Sequence, residues 1–170
     1  MQSLTETLLK KFPEAVLSVD VDTARSEVTV HVAASRILEI ARFLHDDPEA
    51  SFDHITDICS ADYPADQQRF EVIYLLLSLP HGKRIRLKAR ITEDNPSLDS
   101  VTSVWRGATF LEREVYDMMG IRFRNHPTRG VSDRRHFSSV HHSLQSFQSV
   151  RPQKLLPEEL HCAFGKRRWG

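Results

Sequence analysis

Hydrophobic and polar positions alternate along several segments of the chain. The alternation is regular from Val28 to Val32 and from Lys83 to Ile91, which is typical of half-buried strands. Phe70 to Leu79 is instead almost continuously apolar, which is typical of a strand buried on both faces at the centre of a sheet. Weaker patterns over 15–21 and 52–59 predict two further strands.

Helical spacing of apolar residues marks two segments in the first half of the chain. Residues 3–12 predict a short helix that ends at Pro13. Ser35 is a suitable N-cap for a second helix that continues through His45. A short helical turn is predicted to start at Asp99 or Ser100 and to end at Trp105.

A third helix is predicted around residue 112. Thr109 to Glu112 has the form of a capping box, and Gly120 lies where a helix C-cap would be. Arg113 and Asp117 are four residues apart and can form an ion pair on one helix face. The residues at apolar helical spacing, which predict the buried face, are Phe110, Leu111, Val115, Met118 and Met119.

These elements predict an α+β fold: a two-layer sandwich with a mixed β-sheet, helices packed on one face, and an irregular C-terminal tail. The chain of 170 residues has a net charge of +0, but the charge is unevenly distributed. Residues 1–127 are net acidic, whereas residues 128–170 carry eight Lys and Arg against three Asp and Glu. We therefore expect a folded domain over 1–127 and a basic, atypical tail over 128–170, extended or partly disordered.

The sequence offers little to a catalytic or metal-binding interpretation. Cys59 and Cys162 lie in unrelated contexts, without the spacing of a zinc or iron–sulfur site. No phosphate-binding glycine loop, nucleophile elbow or HExxH motif is present. Glu112 and Glu114 are two residues apart, so on a helix they diverge by about 200° and cannot act as an acid–base pair. The sequence predicts no autonomous enzyme, no transmembrane segment and no signal peptide.

Four cations on one face of a predicted strand suggest one alternative of a different class. Arg84, Arg86, Lys88 and Arg90 alternate with apolar residues and could follow a phosphate backbone, as in a nucleic-acid-binding module. No aromatic residues are interleaved with them as stacking platforms, and the surrounding domain is net acidic. A basic stripe that faces solvent or a protein partner is therefore the favoured interpretation.

The segment from Glu112 to Pro127, called the signature segment below, closely resembles the signature of the complex I 30-kDa subunit family, which is the C subunit of NADH:quinone oxidoreductase. The resemblance continues upstream in the same order, over residues 62–64, 69–74, 84–88 and 100–105. It is clear over about residues 50–127. It departs from the family at Thr128, where the family pattern of an Asp-Leu-Arg-Arg type segment does not follow.

The resemblance implies a cofactor-free structural subunit of the peripheral arm, which supports electron transfer from NADH to quinone coupled to proton translocation. FMN and iron–sulfur clusters would lie in partner subunits, and the partners would be the large 49-kDa-like quinone-site subunit and the small iron–sulfur subunits. The chain would lie peripherally on the cytoplasmic side of the bacterial inner membrane, attached only through the complex. It would bind no nucleic acid. The implied subunit-interface residues are Glu112, Arg113, Glu114, Tyr116, Asp117, Gly120, Phe123, His126 and Pro127.

A second possibility within the same superfamily is the corresponding subunit of a membrane-bound hydrogenase or formate hydrogenlyase complex. The residues do not distinguish the two kinds of complex. Neither the quinone type nor the coupling ion can be derived from them.

Overall fold

The computed structural model describes residues 2–22 and 27–127. The first half of this region contains two helices and three strands, and the second half contains four strands and one helix. In chain order the helices and strands are α1 Gln2–Lys11, β1 Val16–Asp22, β2 Glu27–Ala33, α2 Ile37–Asp46, β3 His54–Asp62, β4 Phe70–Ser78, β5 Lys83–Ile91, β6 Ser97–Asp99, α3 Ala108–Met119 and β7 Arg122–Arg124.

Five of the strands form one mixed sheet in the order β1-β2-β5-β4-β3. Strands β2 and β5 run parallel, and the other neighbours run antiparallel. The crossover from β2 to the parallel β5 encloses α2 and the β3–β4 hairpin, as a parallel pair requires a long connection. Strands β6 and β7 form a separate parallel pair. The predicted α+β class with a mixed sheet is confirmed.

The helices and one face of the sheet share a single hydrophobic core. Val72, Tyr74 and Leu76 of β4 are almost fully buried on this inner face. On the opposite, outer face, Glu71 and Ile73 are also buried, whereas Leu75 and Leu77 are only half-buried. All three helices contribute to the core on the inner face, through residues such as Leu4, Leu8, Ile37, Ile40, Leu44, Ala108 and Val115.

Several predicted boundaries differ from the structure. Ser35 does not cap α2: it lies in a single 3-10 turn over Ala34–Arg36, and the helix begins at Ile37 without a side-chain cap. Of the two predicted starts of the short turn that ends at Trp105, Asp99 is wrong, because it ends a short strand; the turn itself is present, since the N–H groups of Val104 and Trp105 donate to the Val101 carbonyl at 2.9 and 3.0 Å. The central strand is β5, whereas the continuously apolar β4 lies second from the sheet edge. Burial on both faces identifies an interior strand but not its position.

Chain contacts divide the molecule into two units, Met1–Pro127 and Thr128–Gly170. The prediction of an irregular, basic tail over 128–170 falls outside the described residues.

Candidate functional site on helix α3

The signature segment forms helix α3 and the short strand β7 after it. The predicted start of this helix is confirmed to within one residue, at Ala108, but the capping box does not form: α3 has no side-chain cap, and the Thr109 hydroxyl donates to the carbonyl of Arg106 at 2.9 Å. The predicted C-cap is confirmed: Gly120 has φ 71°, and its N–H donates to the Tyr116 carbonyl at 2.8 Å. Glycine adopts this left-handed conformation without the steric penalty of a side chain.

Apolar spacing predicts the buried face of α3 only in part: Val115 is buried, and Leu111 and Met119 pack against the core. Phe110 and Met118 are 78% and 67% exposed, respectively, whereas the carboxylate residue Glu112 is fully buried. The residues that enter the core are Ala108, Glu112 and Val115, spaced four and three residues apart on one face. The helix therefore turns two large apolar side chains towards solvent and one acidic side chain inwards.

Glu112 joins α3 to the chain after β6. Its Oε2 accepts a hydrogen bond from the Ser100 hydroxyl at 2.7 Å, and its Oε1 accepts one from the Val101 backbone N–H at 2.7 Å. Two strong donors compensate in part for the removal of the carboxylate from water. Because Glu112 has no solvent exposure, it does not lie on the surface where the resemblance would place an interface contact.

The interior around Glu112 favours its neutral form. Burial raises the pKa of the Glu112 carboxyl from 4.5 to about 7, and the hydrogen bonds from Ser100 and Val101 act in the opposite direction. No Lys or Arg forms an ion pair with it among the described residues, and His126 Nε2 lies 3.9 Å from Oε2. The group acts as an internal connection between elements rather than as a surface charge.

The remaining signature residues divide between structural and exposed positions. Phe123 is buried on β7, and Pro127 is exposed. His126 is nearly buried, and its Nε2 lies 3.1 Å from the Thr109 carbonyl, which connects the end of the segment to the first turn of α3. Tyr116 is half-buried. These contacts fix the orientation of α3 relative to β7.

The solvent-facing side of α3 is defined here as the α3 surface. Arg113 and Asp117 form the predicted i,i+4 pair at 3.9 Å, with more than half of each side chain exposed. An exposed pair of this kind contributes about 0–1 kcal/mol to stability. The exposed members of the surface are Phe110, Arg113, Glu114, Asp117 and Met118. Two large apolar side chains flanking charged ones form a surface suited to burial against another protein.

The basic stripe on β5 is largely neutralised by acidic neighbours. Lys88 and Arg90 both pair with Glu71 of β4, at 3.0 and 3.1 Å, and Arg90 also pairs with Asp66 at 2.6 Å. Arg86 pairs with Glu27 at 3.2 Å. Among the described residues, Arg84 is the member of the stripe without an acidic partner. This arrangement weakens the nucleic-acid alternative, because cations used to neutralise carboxylates are poor phosphate contacts.

Sequence reasoning missed the roles of Glu71 and Glu112. Glu71 has no nearby charge partner in the sequence, and its cations arrive through strand pairing, with Glu71 opposite Arg90. For Glu112 one signal was present, since it shares the helical spacing of Ala108 and Val115. Within residues 2–22 and 27–127, no cluster of His, Cys, Asp and Glu could hold a metal, and no helix has the length and hydropathy of a membrane span.

Comparison with known proteins identifies the family. The sequence model of "Respiratory-chain NADH dehydrogenase, 30 Kd subunit" matches residues 30–149. This chain belongs to that family. The match continues past Pro127, so the family likeness does not end where the sequence first departs from the expected pattern.

Several relatives of this chain are named as the C subunit of NADH-quinone oxidoreductase. The relative from Roseiflexus sp. (strain RS-1) is 42% identical over 74% of this chain and 71% of its own length. The protein of the same name from Citrifermentans bemidjiense is 45% identical over 71% of this chain and 72% of the relative. The relative from Xanthobacter autotrophicus is 48% identical, and the match covers only 49% of that relative's length.

Two solved structures share the fold. A trypsin-resistant fragment of Nqo5 matches 75% of this chain and 98% of its own, with a TM-score of 0.62 and 29% identity. A chain of the membrane-bound sulfane sulfur reductase, an archaeal respiratory membrane complex, matches 94% of this chain and 98% of its own with a TM-score of 0.63. At 19% identity, the second comparison establishes the fold alone.

Proposed function

We propose that this chain is a non-catalytic docking subunit in the peripheral arm of an NADH:quinone oxidoreductase, where the α3 surface contacts another subunit. The observation that carries the proposal is the exposure of Phe110 and Met118 on α3, a helix whose opposite face packs into the core through Ala108, Glu112 and Val115. Relatives that are 42% to 48% identical are named as the C subunit of this oxidoreductase. A subunit of a large assembly requires such a surface, and an isolated monomer does not.

The proposed interface is the exposed part of the signature segment rather than all of it. On α3, Arg113, Glu114 and Asp117 are the charged residues that can contact a partner, since Glu112 is internal. Charged groups at an interface set register and partner choice more than they set affinity. The partners we propose are the 49-kDa-like quinone-site subunit and the small iron–sulfur subunits. The chain would be held on the cytoplasmic side of the inner membrane through the complex alone.

The same proposal assigns no redox cofactor to this chain. Its support is chemical: Cys59, on β3, and Cys162 are the only cysteines in the sequence. An iron–sulfur cluster needs about four ligands, so two cysteines do not supply it. FMN and the clusters would belong to partner subunits.

A hydrogenase-type or other respiratory complex is the second candidate. The fold shared with a chain of the sulfane sulfur reductase shows that this architecture also occurs in a respiratory complex with a different name. We favour the NADH:quinone oxidoreductase because the higher identities all lie with its C subunit. The proteins that co-purify with the full-length chain from native membranes distinguish the candidates.

Charge reversal on the α3 surface tests the interface. Glu114→Lys should leave the isolated chain folded, because an exposed helix charge contributes on the order of 0.5 kcal/mol or less. In the assembled complex the same change should weaken incorporation by about tenfold or more. The reason is that reversal of a charge at a docked surface places it opposite a partner group of the same sign. Circular dichroism measures the first effect, and native gels of solubilised membranes measure the second.

Glu49→Lys is the matched control, because Glu49 is exposed in the loop after α2, outside the α3 surface. If both variants assemble like wild type, the α3 surface is not an interface.

A visible spectrum of the purified wild-type chain tests the cofactor assignment. Flavin or iron–sulfur absorbance near about 420–450 nm would contradict the cofactor assignment.

A further inference from the structure

A groove on the outer face of the sheet lies away from α3. It has a volume of about 310 Å³ and crosses β2, β5, β4 and β3 near one end of the sheet. Leu75 and Leu77 form an apolar floor and are only half-buried. All three described helices pack on the inner face, so within the described residues this floor has no helix above it. The side chains at its rim are Glu27, Thr56, Arg84 and Arg86.

The charges of the rim leave one cation uncompensated. Arg86 is paired with Glu27 at 3.2 Å, and the Thr56 hydroxyl donates to the Leu75 carbonyl at 3.0 Å. Arg84 is exposed and, among the described residues, has no acidic partner. A groove of this composition matches a segment that has aliphatic side chains and one carboxylate opposite Arg84.

We infer that this groove is a second docking site, occupied by an acidic, aliphatic polypeptide segment of another subunit. The inference rests on the proposed function, because it requires that the chain reside in a complex of several subunits. A polypeptide fits better than a small ligand: recognition of a small molecule needs several placed polar groups, whereas among the described residues Arg84 is the one charged side chain of the rim without a charged partner.

Charge also argues against the two occupants that this chain itself could supply. Residues 128–170 are strongly basic, with eight Lys and Arg against three Asp and Glu, so they complement Arg84 poorly. A second copy docked about a two-fold axis through the groove would bring its own Arg84 towards this one. An acidic segment from a different protein is the complementary occupant.

The test places a photo-crosslinking amino acid at Leu77 in the full-length chain, expressed in cells that assemble the complex. Irradiation of the purified complex followed by mass spectrometry identifies the peptide that lies on the floor. The expected product is a crosslink to another subunit, at a segment with aliphatic residues and an Asp or Glu nearby. A crosslink to residues 128–170, to a second copy or to lipid, or no crosslink at all, would overturn the inference.

A charge variant adds a second measurement. Arg84→Glu should lower the crosslink yield about tenfold, and reversal of the crosslinked carboxylate to Lys should restore it. Arg42→Glu is the matched control, because Arg42 is exposed on α2 in the other layer. Equal yields in both variants would contradict the role of Arg84. The Glu114→Lys variant on α3 distinguishes this failure from failure of the proposed function, because assembly through α3 does not depend on the groove.

Discussion

Two glutamates are buried in the described part of the chain, and their surroundings differ. Glu71 lies on the outer face of β4, where Lys88 and Arg90 approach its two carboxylate oxygens at 3.0 and 3.1 Å. Glu112 lies on the inner face of α3, where the Ser100 hydroxyl and the Val101 N–H donate to it. One carboxylate is compensated by cations, and the other is compensated by neutral donors.

The difference shows how the two layers tolerate burial of an acid. On the outer face, long side chains of a neighbouring strand reach the carboxylate and keep part of their own length in solvent, with Lys88 15% exposed. Between α3 and the sheet, no Lys or Arg pairs with the group among the described residues, so its charge is not balanced. Hydrogen bonds alone leave the charged form less favourable, and the pKa rises.

A buried carboxylate with neither cations nor neutral donors beside it should have the largest effect on stability. Leu76 is 2% exposed on the inner face of β4. Leu76→Asp should destabilise the domain by about 5 kcal/mol or more, comparable to the whole stability of a domain, because the new charge is buried without a partner. Thermal unfolding monitored by circular dichroism measures the effect. Leu79→Asp, at a position 63% exposed, is the control and should change the melting temperature little.

Glu112 should make stability depend on pH. Because its pKa is about 7 when folded and 4.5 when unfolded, the folded chain holds an extra proton between these values. The stabilisation of the folded chain by this extra proton is therefore complete below pH 4.5 and is lost as pH rises through 7. The corresponding change in the free energy of unfolding is about 3 kcal/mol. Urea unfolding of wild type and Glu112→Gln, at about pH 5 and about pH 8, should show the pH-dependent difference between them.

The experiment must distinguish the effect of Glu112 on stability from the effects of the ionisable groups near it. Tyr74 on β4 interacts electrostatically with both Glu112 and Asp99, and His126 Nε2 lies 3.9 Å from the Glu112 carboxylate. An imidazole changes charge between about pH 5 and pH 8. The measurements are therefore repeated in a His126→Gln background, which removes that charge. If the effect of Glu112→Gln on the free energy of unfolding shows no pH dependence there, Glu112 is not the titrating group.

Removal of the charge on Glu71 should have a smaller effect. Glu71→Gln leaves Lys88 and Arg90 without their carboxylate and should cost about 2–3 kcal/mol, less than a fully buried pair, because Arg90 keeps Asp66. Glu93→Gln is the control: its pair with Arg69 is exposed, so a loss of about 0.5 kcal/mol is expected. Chemical unfolding of both variants measures the two costs. Equal costs would show that burial of Glu71 does not strengthen its pairing.

Strand β5 illustrates what could be predicted from sequence. Its predicted bounds, Lys83 and Ile91, are those of the structure, and its apolar and cationic residues lie on opposite faces as expected. The reason is that side chains alternate strictly along a strand, so a period of two assigns every residue to a face. The acidic partners of the cations were not predictable, because they come from β2, β4 and the β3–β4 loop.

Helix α3 illustrates the opposite result. Its existence and its end at Gly120 follow from the sequence, but apolar spacing identified only part of its buried face. Phe110 and Met118 were assigned to the core because hydrophobicity was the only signal, and Glu112 was assigned to the surface because acidic residues rarely lie inside. The donors that permit its burial, Ser100 and Val101, lie more than ten residues away and are brought together by the β6–α3 connection.

The sequence by itself determined the three helices, the five strands of the main sheet, their approximate order and the likeness to the 30-kDa subunit family, because these depend on local periodicity and on motifs read in order; it missed the short strands β6 and β7. Only the tertiary structure decided which charges are exposed. In the signature segment it buries the Glu112 carboxylate and leaves apolar and charged side chains together on the exposed side of α3. At the edge of the groove it leaves Arg84 without an acidic partner among the described residues. The physical reason is that burial and charge pairing are properties of residues that meet in space, and periodicity along the chain does not contain those distances.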